Sequence, residues 1–335
     1  MNRSKNRKRK VPVSVIIPMR NAETTVMECL RSVSRQTYPI REIIVVDNLS
    51  TDRSRELVAL YSKSSDITIR LIRQKVDKGV AASYNTGVRA VTSSIVVFMT
   101  SDSALPTKNE LSKLVQTLLR DPLAAASYST SVLPGFIWEK YNFWEKYFAA
   151  RMVDDASSLM VLKFDCLRRD AFLSVGGFDE INFGGDSVAG EDADLTNRLN
   201  RYWHILRSSA RSYHLHYMAP DYSLSQMIKS RKMYARSYGR FLRKSALLDV
   251  KASILFLMKP VIALFPFFPG LHRWGILALI IFSFLYTKKM FITPSTALDI
   301  RIIFIPILNI FFVYYESFWI IQAFLSYKST HERQE

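Results

Sequence analysis

The sequence predicts an α/β domain of Rossmann-like type, with a mostly parallel sheet and flanking helices, followed by C-terminal transmembrane helices. Three observations lead there. Short apolar runs rich in β-branched residues alternate with segments of helical spacing, a βαβαβαβ rhythm over the first hundred residues. These runs end at prolines, carboxylates or turn residues, as strands of an open sheet do. Beyond about residue 250 the composition shifts to long apolar runs broken by prolines.

Residues 11–18 read as a short strand ending at Pro18. Asn21 opens a helix whose apolar positions Val26, Leu30 and Val33 recur at helical spacing, and Gln36-Thr37-Tyr38-Pro39 closes it. Residues 42–47 form a second buried strand ending in Asp47. Asn48 to Asp52 supply turn and N-cap chemistry for a helix running to about Tyr61. Residues 67–73 form a third strand, Lys78-Gly79 a turn, and residues 81–90 a helix of small residues suited to close packing near a ligand. The fourth run, Ile95 to Met99, is apolar throughout and reads as a strand buried on both faces. It stops at Ser101-Asp102-Ser103. Ligands of open α/β sheets sit just beyond the carboxyl ends of parallel strands, so Asp102 stands where a cofactor, metal or phosphate would be met. A loop aspartate capping the turn before Pro106 is the plainer reading of that stretch alone.

The 335 residues carry a net charge of +17, which by itself admits nucleic acid, anionic lipid or anionic small substrates. Its distribution decides. Six basic residues crowd residues 1–10, a basic tail with no signal-peptide core after it. A second cluster, Lys229, Arg231, Lys232, Arg236, Arg240, Arg243 and Lys244, sits just before the apolar runs. Basic residues beside a membrane segment follow the positive-inside rule, and no nucleic-acid module is visible. Cys29 and Cys166 lack the spacing of a disulfide framework or a zinc site, which points to a reduced compartment.

Four regions follow: the tail 1–10, a catalytic-type domain 11–245, a membrane region of two or three helices over 252–327, and a polar tail 328–335. Within the membrane region, residues 252–271 are broken by Pro260, Pro266 and Pro269, as in a kinked span or a re-entrant interfacial helix. Residues 274–286 fall short of the ~20 that a perpendicular span needs, and residues 302–325 are long enough. Lys288, Lys289 and Arg301 put the loop between the last two runs on the cytoplasmic side. The expected topology is three spans with an outside C-terminus, or two with an interfacial first segment. Glu316 either pairs with Lys259 or snorkels. The aromatic stretch from Trp138 to Phe148 has helical spacing, with Trp138, Tyr141, Glu145 and Phe148 on one face. Core packing, a sugar-stacking wall and an interfacial belt all fit it.

Several motifs together carry a family resemblance. Val13-Ser14-Val15-Ile16-Ile17-Pro18, Gln36-Thr37-Tyr38-Pro39, Ile43-Ile44-Val45-Val46-Asp47-Asn48, Ser50-Thr51-Asp52 and Asn85-Thr86-Gly87 resemble the GT-A glycosyltransferases of the large inverting family 2. The likeness resumes at Phe164 to Phe172 and at Val175-Gly176-Gly177-Phe178-Asp179, and finishes at Gly190-Glu191-Asp192-Ala193-Asp194-Leu195.

The resemblance implies a nucleotide-sugar donor. Pro18 with its neighbours, and Asp47 with Asn48, would hold the nucleoside, since a base needs in-plane donors and acceptors. Many members have two carboxylates where this chain has Asp47-Asn48, which leaves the base open. Lys78 either reaches the nucleotide or is a solvated turn lysine. The usual Asp-X-Asp, which holds a divalent ion (Mg or Mn) against the diphosphate, is here Ser101-Asp102-Ser103. Mg²⁺ commonly takes only one or two carboxylates plus substrate phosphates and water. A histidine downstream would complete the set. His214 and His216 alternate as on a strand, and His216 is the favoured metal ligand. Asp192 would be the general base, with Glu191 its neighbour; a helix N-terminus enriched in acid is the plainer reading of the pair. A processive synthase would carry Gln-X-X-Arg-Trp, but Gln226 is followed by Met227-Ile228-Lys229-Ser230, which argues for transfer of a single sugar. The dolichyl-phosphate mannose synthases carry a different acidic motif.

The function expected is therefore a membrane-bound inverting glycosyltransferase. It would be a multi-pass protein of the cell membrane with a cytoplasmic catalytic domain. Its partners would be a nucleotide-sugar, a lipid-linked or other glycan acceptor and the membrane, with no nucleic acid. The alternative is a catalytically inactive, membrane-anchored binding module of the same fold.

Overall fold

The computed structural model describes residues 10–153, 160–183, 189–215, 222–245 and 250–326. The first half follows the alternating rhythm: β1 (Val13–Met19), α1 (Val26–Ser34), β2 (Ile40–Asp47), α2 (Ser54–Ser64), β3 (Ile69–Arg73), α3 (Gly79–Arg89) and β4 (Ile95–Met99). β1 pairs in parallel with β2 and β4, and β2 with β3. The pleat of β1 splits the core in two. Val13, Val15 and Ile17 pack with Val26 and Leu30 of α1 on one face, and Ile16 packs with Tyr84 and Val88 of α3 on the other. A Cβ at Gly87 would lie 2.3 Å from Ile16 Cγ2, so α3 approaches the sheet only because that position has no side chain.

Asn21 does not open a helix. It sits at φ 49, in the left-handed region, and its Oδ1 accepts from Thr51 N–H at 2.8 Å. The side chain is committed to the neighbouring loop, and α1 begins five residues later.

The second half departs from a mostly parallel sheet. After β5 (Ser103–Ala104) and α4 (Glu110–Arg120) come β6 (Ala124–Val132), α5 (Gly135–Trp138), α6 (Phe143–Ala149), β7 (Phe164–Arg168), α7 (Arg169–Ser174), α8 (Glu180–Phe183), α9 (Glu191–Leu199) and β8 (His204–His214). The eight strands lie in the order β3-β2-β1-β4-β7-β6-β8-β5. β7 runs antiparallel to β4 and β6, β5 antiparallel to β8, and β6 parallel to β8. The sheet is parallel through β1 to β4 and mixed beyond.

The aromatic stretch is two helices and not one. Asn142 breaks it, accepting from the N–H groups of Trp144 and Glu145 while the Glu145 carboxylate accepts from Asn142 N–H, a capping box. Trp138, Phe143 and Tyr147 are buried, so most of the stretch is core. Tyr147 donates to Asn309 Oδ1 at 2.8 Å and ties this core to the last helix.

The C-terminal region comprises α10 (Leu224–Ser245), α11 (Val250–Leu264), α12 (His272–Leu285), α13 (Lys288–Ile292), α14 (Pro294–Ala297) and α15 (Ile305–Ser326). Among the described residues one helix is long and apolar enough to cross a membrane, the stretch Ile300–Ser326, and a third of its apolar window is buried in the protein. At 22 residues α15 spans about 33 Å, the thickness of a hydrocarbon core. α11 and α12, at 15 and 14 residues, are too short to cross. The expected two or three spans thus reduce to a single helix of spanning length. The prolines end the first run early. Gly270, at φ 78, turns the chain, and Gly275 lets α12 lie against the Pro266 backbone, where a Cβ would come within 2.5 Å.

Candidate active site

The strand ends assemble the site. Asn48 N–H donates to Met19 O at 2.8 Å, joining the ends of β1 and β2 beside Pro18. Asp47 is buried, accepts from Ser50 N–H and faces Arg55 Nε at 3.9 Å. The Asn48 amide donates to Asp77 Oδ1 and accepts from Lys78 N–H. Asn48 and Lys78 are therefore adjacent through the loop that opens α3, while Arg20 pairs with Asp77 at its rim.

Asp102 follows β4. Its backbone carbonyl accepts from Leu215 N–H at 2.7 Å, and Ser103 pairs with His214 across β5 and β8. Ser101 precedes it in the same turn, partly exposed. This register sets His214 Nε2 2.9 Å from Asp102 Oδ2. Lys163 Nζ lies 3.1 Å from that nitrogen and 3.7 Å from Asp102 Oδ1. Burial and the Lys163 charge lower the basicity of His214, while the Asp102 carboxylate opposes that fall. Burial opposes the charge on Asp102, yet Lys163 and His214 hold its carboxyl well below the usual carboxylate range. His216 lies outside the described residues.

The acid pair opens α9. The helix begins at Glu191, because Gly190 at φ 99 turns the chain into it. Asp194 is taken up by Arg198 at 2.8 Å and Lys244 at 2.6 Å. Glu191 and Asp192 have no such cation. Burial raises the carboxyl of both, the Asp192 charge raises Glu191 further, and Lys163 opposes the rise in each. Glu191 Oε2 is buried with no hydrogen-bond partner, and Asp192 Oδ1 accepts from the adjacent Ala193 N–H at 2.8 Å. Two carboxyls of raised basicity thus stand within electrostatic reach of the lysine that also faces Asp102.

Lys163 and Asp165 escaped sequence reasoning. Leu162, at φ 59, turns the chain so that Lys163 reaches Asp102, and Asp165 holds that turn by accepting from Leu162 N–H at 2.7 Å and Ser129 N–H at 3.1 Å. Burial pushes the Asp165 carboxyl up to about 7. The signal available was the Lys163-Phe164-Asp165 triplet at the start of a strand, which is weak.

A divalent ion fits this donor set in one respect: Asp102 Oδ1 is buried and accepts no hydrogen bond. Asp102 and His214 are the described residues that would hold it. No group of three or more ligating side chains exists among the described residues, so substrate oxygens would have to complete the shell.

Residues 14–172 match the sequence model of the family described as Glycosyl transferase family 2. That segment, just under half of the chain, is similar to family 2 glycosyltransferases in sequence. It is 33% identical over 108 residues to the glycosyltransferase AglE of Haloferax volcanii, covering 32% of this chain and 35% of that protein. It is 31% identical over 112 residues to the UDP-Glc:alpha-D-GlcNAc-diphosphoundecaprenol beta-1,3-glucosyltransferase WfgD of Escherichia coli, covering 33% and 43%. The chain thus spans well under half the length of these relatives. Among solved structures it is similar to the mannosyltransferase PcManGT from Pyrobaculum calidifontis in complex with GDP-Man and Mn2+, with a TM-score of 0.61 and 18% identity over 96% of this chain and 89% of that one. It is also similar to GalNAc-T7 with UDP, GalNAc and Mn2+, with a TM-score of 0.55 and 14% identity over 76% and 51%. These likenesses concern the fold.

Proposed function

We propose that the protein is a membrane-bound inverting glycosyltransferase that moves one sugar from a nucleotide-sugar donor to a lipid-linked glycan acceptor at the cytoplasmic face. The observation that carries this reading is the pairing of an Asp102 carboxylate held charged at the end of β4 with the half-buried Glu191–Asp192 pair of raised basicity on α9. Inversion needs one base on the acceptor side and stabilised charge on the leaving side.

Pro18, Asp47 and Asn48 frame the nucleoside, with Lys78 beside them. Ser101 and Asp102 face the diphosphate. Asp192 takes the proton of the acceptor hydroxyl as its oxygen attacks the anomeric carbon, and Glu191 keeps the pair basic through like-charge repulsion. Lys163 places a positive charge between the acids and the diphosphate. A divalent cation, held by Asp102 with His214 or His216, supplies Lewis-acid stabilisation of the leaving diphosphate when bound. Solved structures of this fold contain Mn2+ with a nucleotide sugar or nucleotide, which supports that assignment. The lipid-linked acceptor is supported by α15, by the exposed apolar faces of α11 and α12, and by a relative whose name specifies a diphosphoundecaprenol-linked sugar. α15 crosses the bilayer and the two shorter helices lie beside it.

The test is hydrolysis of a panel of nucleotide sugars by detergent-solubilised protein, with Mn²⁺ or Mg²⁺ and then with chelator, run also on Asp102→Ala. Slow hydrolysis selective for one donor, dependent on metal and lost in the variant, is expected. Folded protein that neither hydrolyses nor binds any donor overturns the reading and leaves the inactive binding module.

A further inference from the structure

We propose that Arg151, Arg231 and Lys259 form a phosphate-binding site where the catalytic domain meets the apolar helices, and that it takes the phosphate or diphosphate of a lipid-linked acceptor. This rests on the reading that the acceptor is lipid-linked.

The three cations come from three parts of the chain and converge on one ring. Tyr286, just after α12, has the Arg151 guanidinium 4.4 Å from its ring centre, Lys259 Nζ at 5.2 Å and the Arg231 guanidinium at 5.9 Å. Its hydroxyl accepts from Arg231 Nη1 at 3.2 Å. One carboxylate meets them. Glu316 of α15 accepts from Arg231 Nη1 at 2.8 Å and pairs with Lys259. No other carboxylate stands within ion-pair distance of these three cations among the described residues.

Three cations against one carboxylate leave a net positive charge in a largely enclosed place, and buried charge is costly unless matched. An ion pair that merely clamps α10 to α15 accounts for Arg231 and Glu316 and for nothing more. Arg231 is only 7% exposed, yet its Nε–H is buried with no acceptor. A phosphate oxygen supplies that acceptor, and a guanidinium fork suits phosphate geometry. Arg151 is exposed and leaves the cluster open on one side. The helices that carry Lys259 and lead into Tyr286 expose Met258, Val261 and Ile281, apolar side chains suited to a hydrocarbon chain.

The cluster also adjoins the chemistry. Tyr238 of α10 is half-buried and feels Asp192 as well as Arg151 and Glu316, while Tyr234, one turn earlier, feels Asp102 and Glu191.

The probes are farnesyl diphosphate, farnesol and inorganic phosphate, titrated into detergent-solubilised full-length protein. Wild type is expected to bind farnesyl diphosphate at least tenfold more tightly than either farnesol or inorganic phosphate. Arg151→Gln and Lys259→Gln, which leave the buried Arg231–Glu316 pair intact, are each expected to weaken it about tenfold, the loss of one charged hydrogen bond, with farnesol binding unchanged. Arg151→Lys is expected to recover part of the loss. Wild-type affinity in both Gln variants overturns the proposal, and so does inorganic phosphate binding as tightly as the lipid. Sugar transfer measured in parallel separates the two readings. Transfer that persists while both variants bind normally sinks this site and leaves the enzyme. Arginine-dependent lipid binding without transfer from any donor sinks the enzyme reading and leaves the site.

Discussion

Lys163 is the residue on which the electrostatics of the site turn. It faces Asp102 and His214 directly and opposes the rise in both acids of α9. Lys163→Gln is expected to raise the donor KM several-fold to tenfold, by loss of one charge-assisted contact to the diphosphate, and Lys163→Arg to restore most of it. Because burial raises the carboxyls of Glu191 and Asp192, the acid limb of the kcat/KM profile is expected above the ordinary carboxylate value of ~4. The active base is the deprotonated form, so activity falls as pH drops through that limb. Asp165 shows its effect in stability. Folded, it keeps a proton up to about pH 7, whereas the unfolded chain releases it near 3.8. Its contribution is full below 3.8 and is lost as pH rises through about 7, at about 1.4 kcal/mol per pH unit. Asp165→Asn removes that slope, which urea unfolding at pH 4, 5.5 and 7 measures; an unchanged slope contradicts the assignment.

At the scale of elements, α10 and α15 pack closely against each other. A Cβ at Gly239 would lie 2.4 Å from Ile320 O and 2.8 Å from Ala323 Cβ. Gly239→Ala is therefore expected to destabilise by about 1–3 kcal/mol through overpacking, read as a lower thermal midpoint in detergent; a wild-type midpoint contradicts this contact. This joint was not legible in the sequence, nor was much of the second half of the sheet. β1, β2 and β4 announce themselves by continuous apolar runs, because strands buried on both faces need them, while the edge strand β3 interleaves arginines. β6 is largely Ala and Ser, and β8 mixes Arg and Ser, so neither carries a run. The acid pair was legible only through the family resemblance, since acids at a helix start are by themselves explained by the helix dipole. His214 was legible as one of two histidines on a strand, but which of them meets Asp102 depends on the β5–β8 register, which the residues do not print. Lys163 was hidden because its reach depends on a left-handed turn at Leu162, a residue type that gives no warning of it.

For the whole molecule, the catalytic domain and the apolar helices share a core. Tyr147 of α6, Met290 of α13 and Phe312 of α15 pack in one cluster, and the Tyr147–Asn309 hydrogen bond closes it. Outward, α11, α12 and α15 expose large apolar side chains such as Val261, Leu285 and Ile307. Such a surface needs a covering, and the proposed function makes that covering a bilayer, with the one helix of spanning length beside it. Membranes carrying the protein are expected to retain it through washes with 1 M salt and with alkaline carbonate, and to release it only with detergent. Release by salt alone would mean a peripheral protein held by its basic clusters.

The most direct test of the account is single-turnover sugar transfer at saturating donor, comparing wild type with Asp192→Asn. Loss of a general base from a correctly folded site should lower the rate about 10²–10⁴-fold while leaving the donor KM close to wild type. A variant that transfers sugar at the wild-type rate would contradict the assignment of Asp192, and with it the placing of the acceptor at the N-terminus of α9.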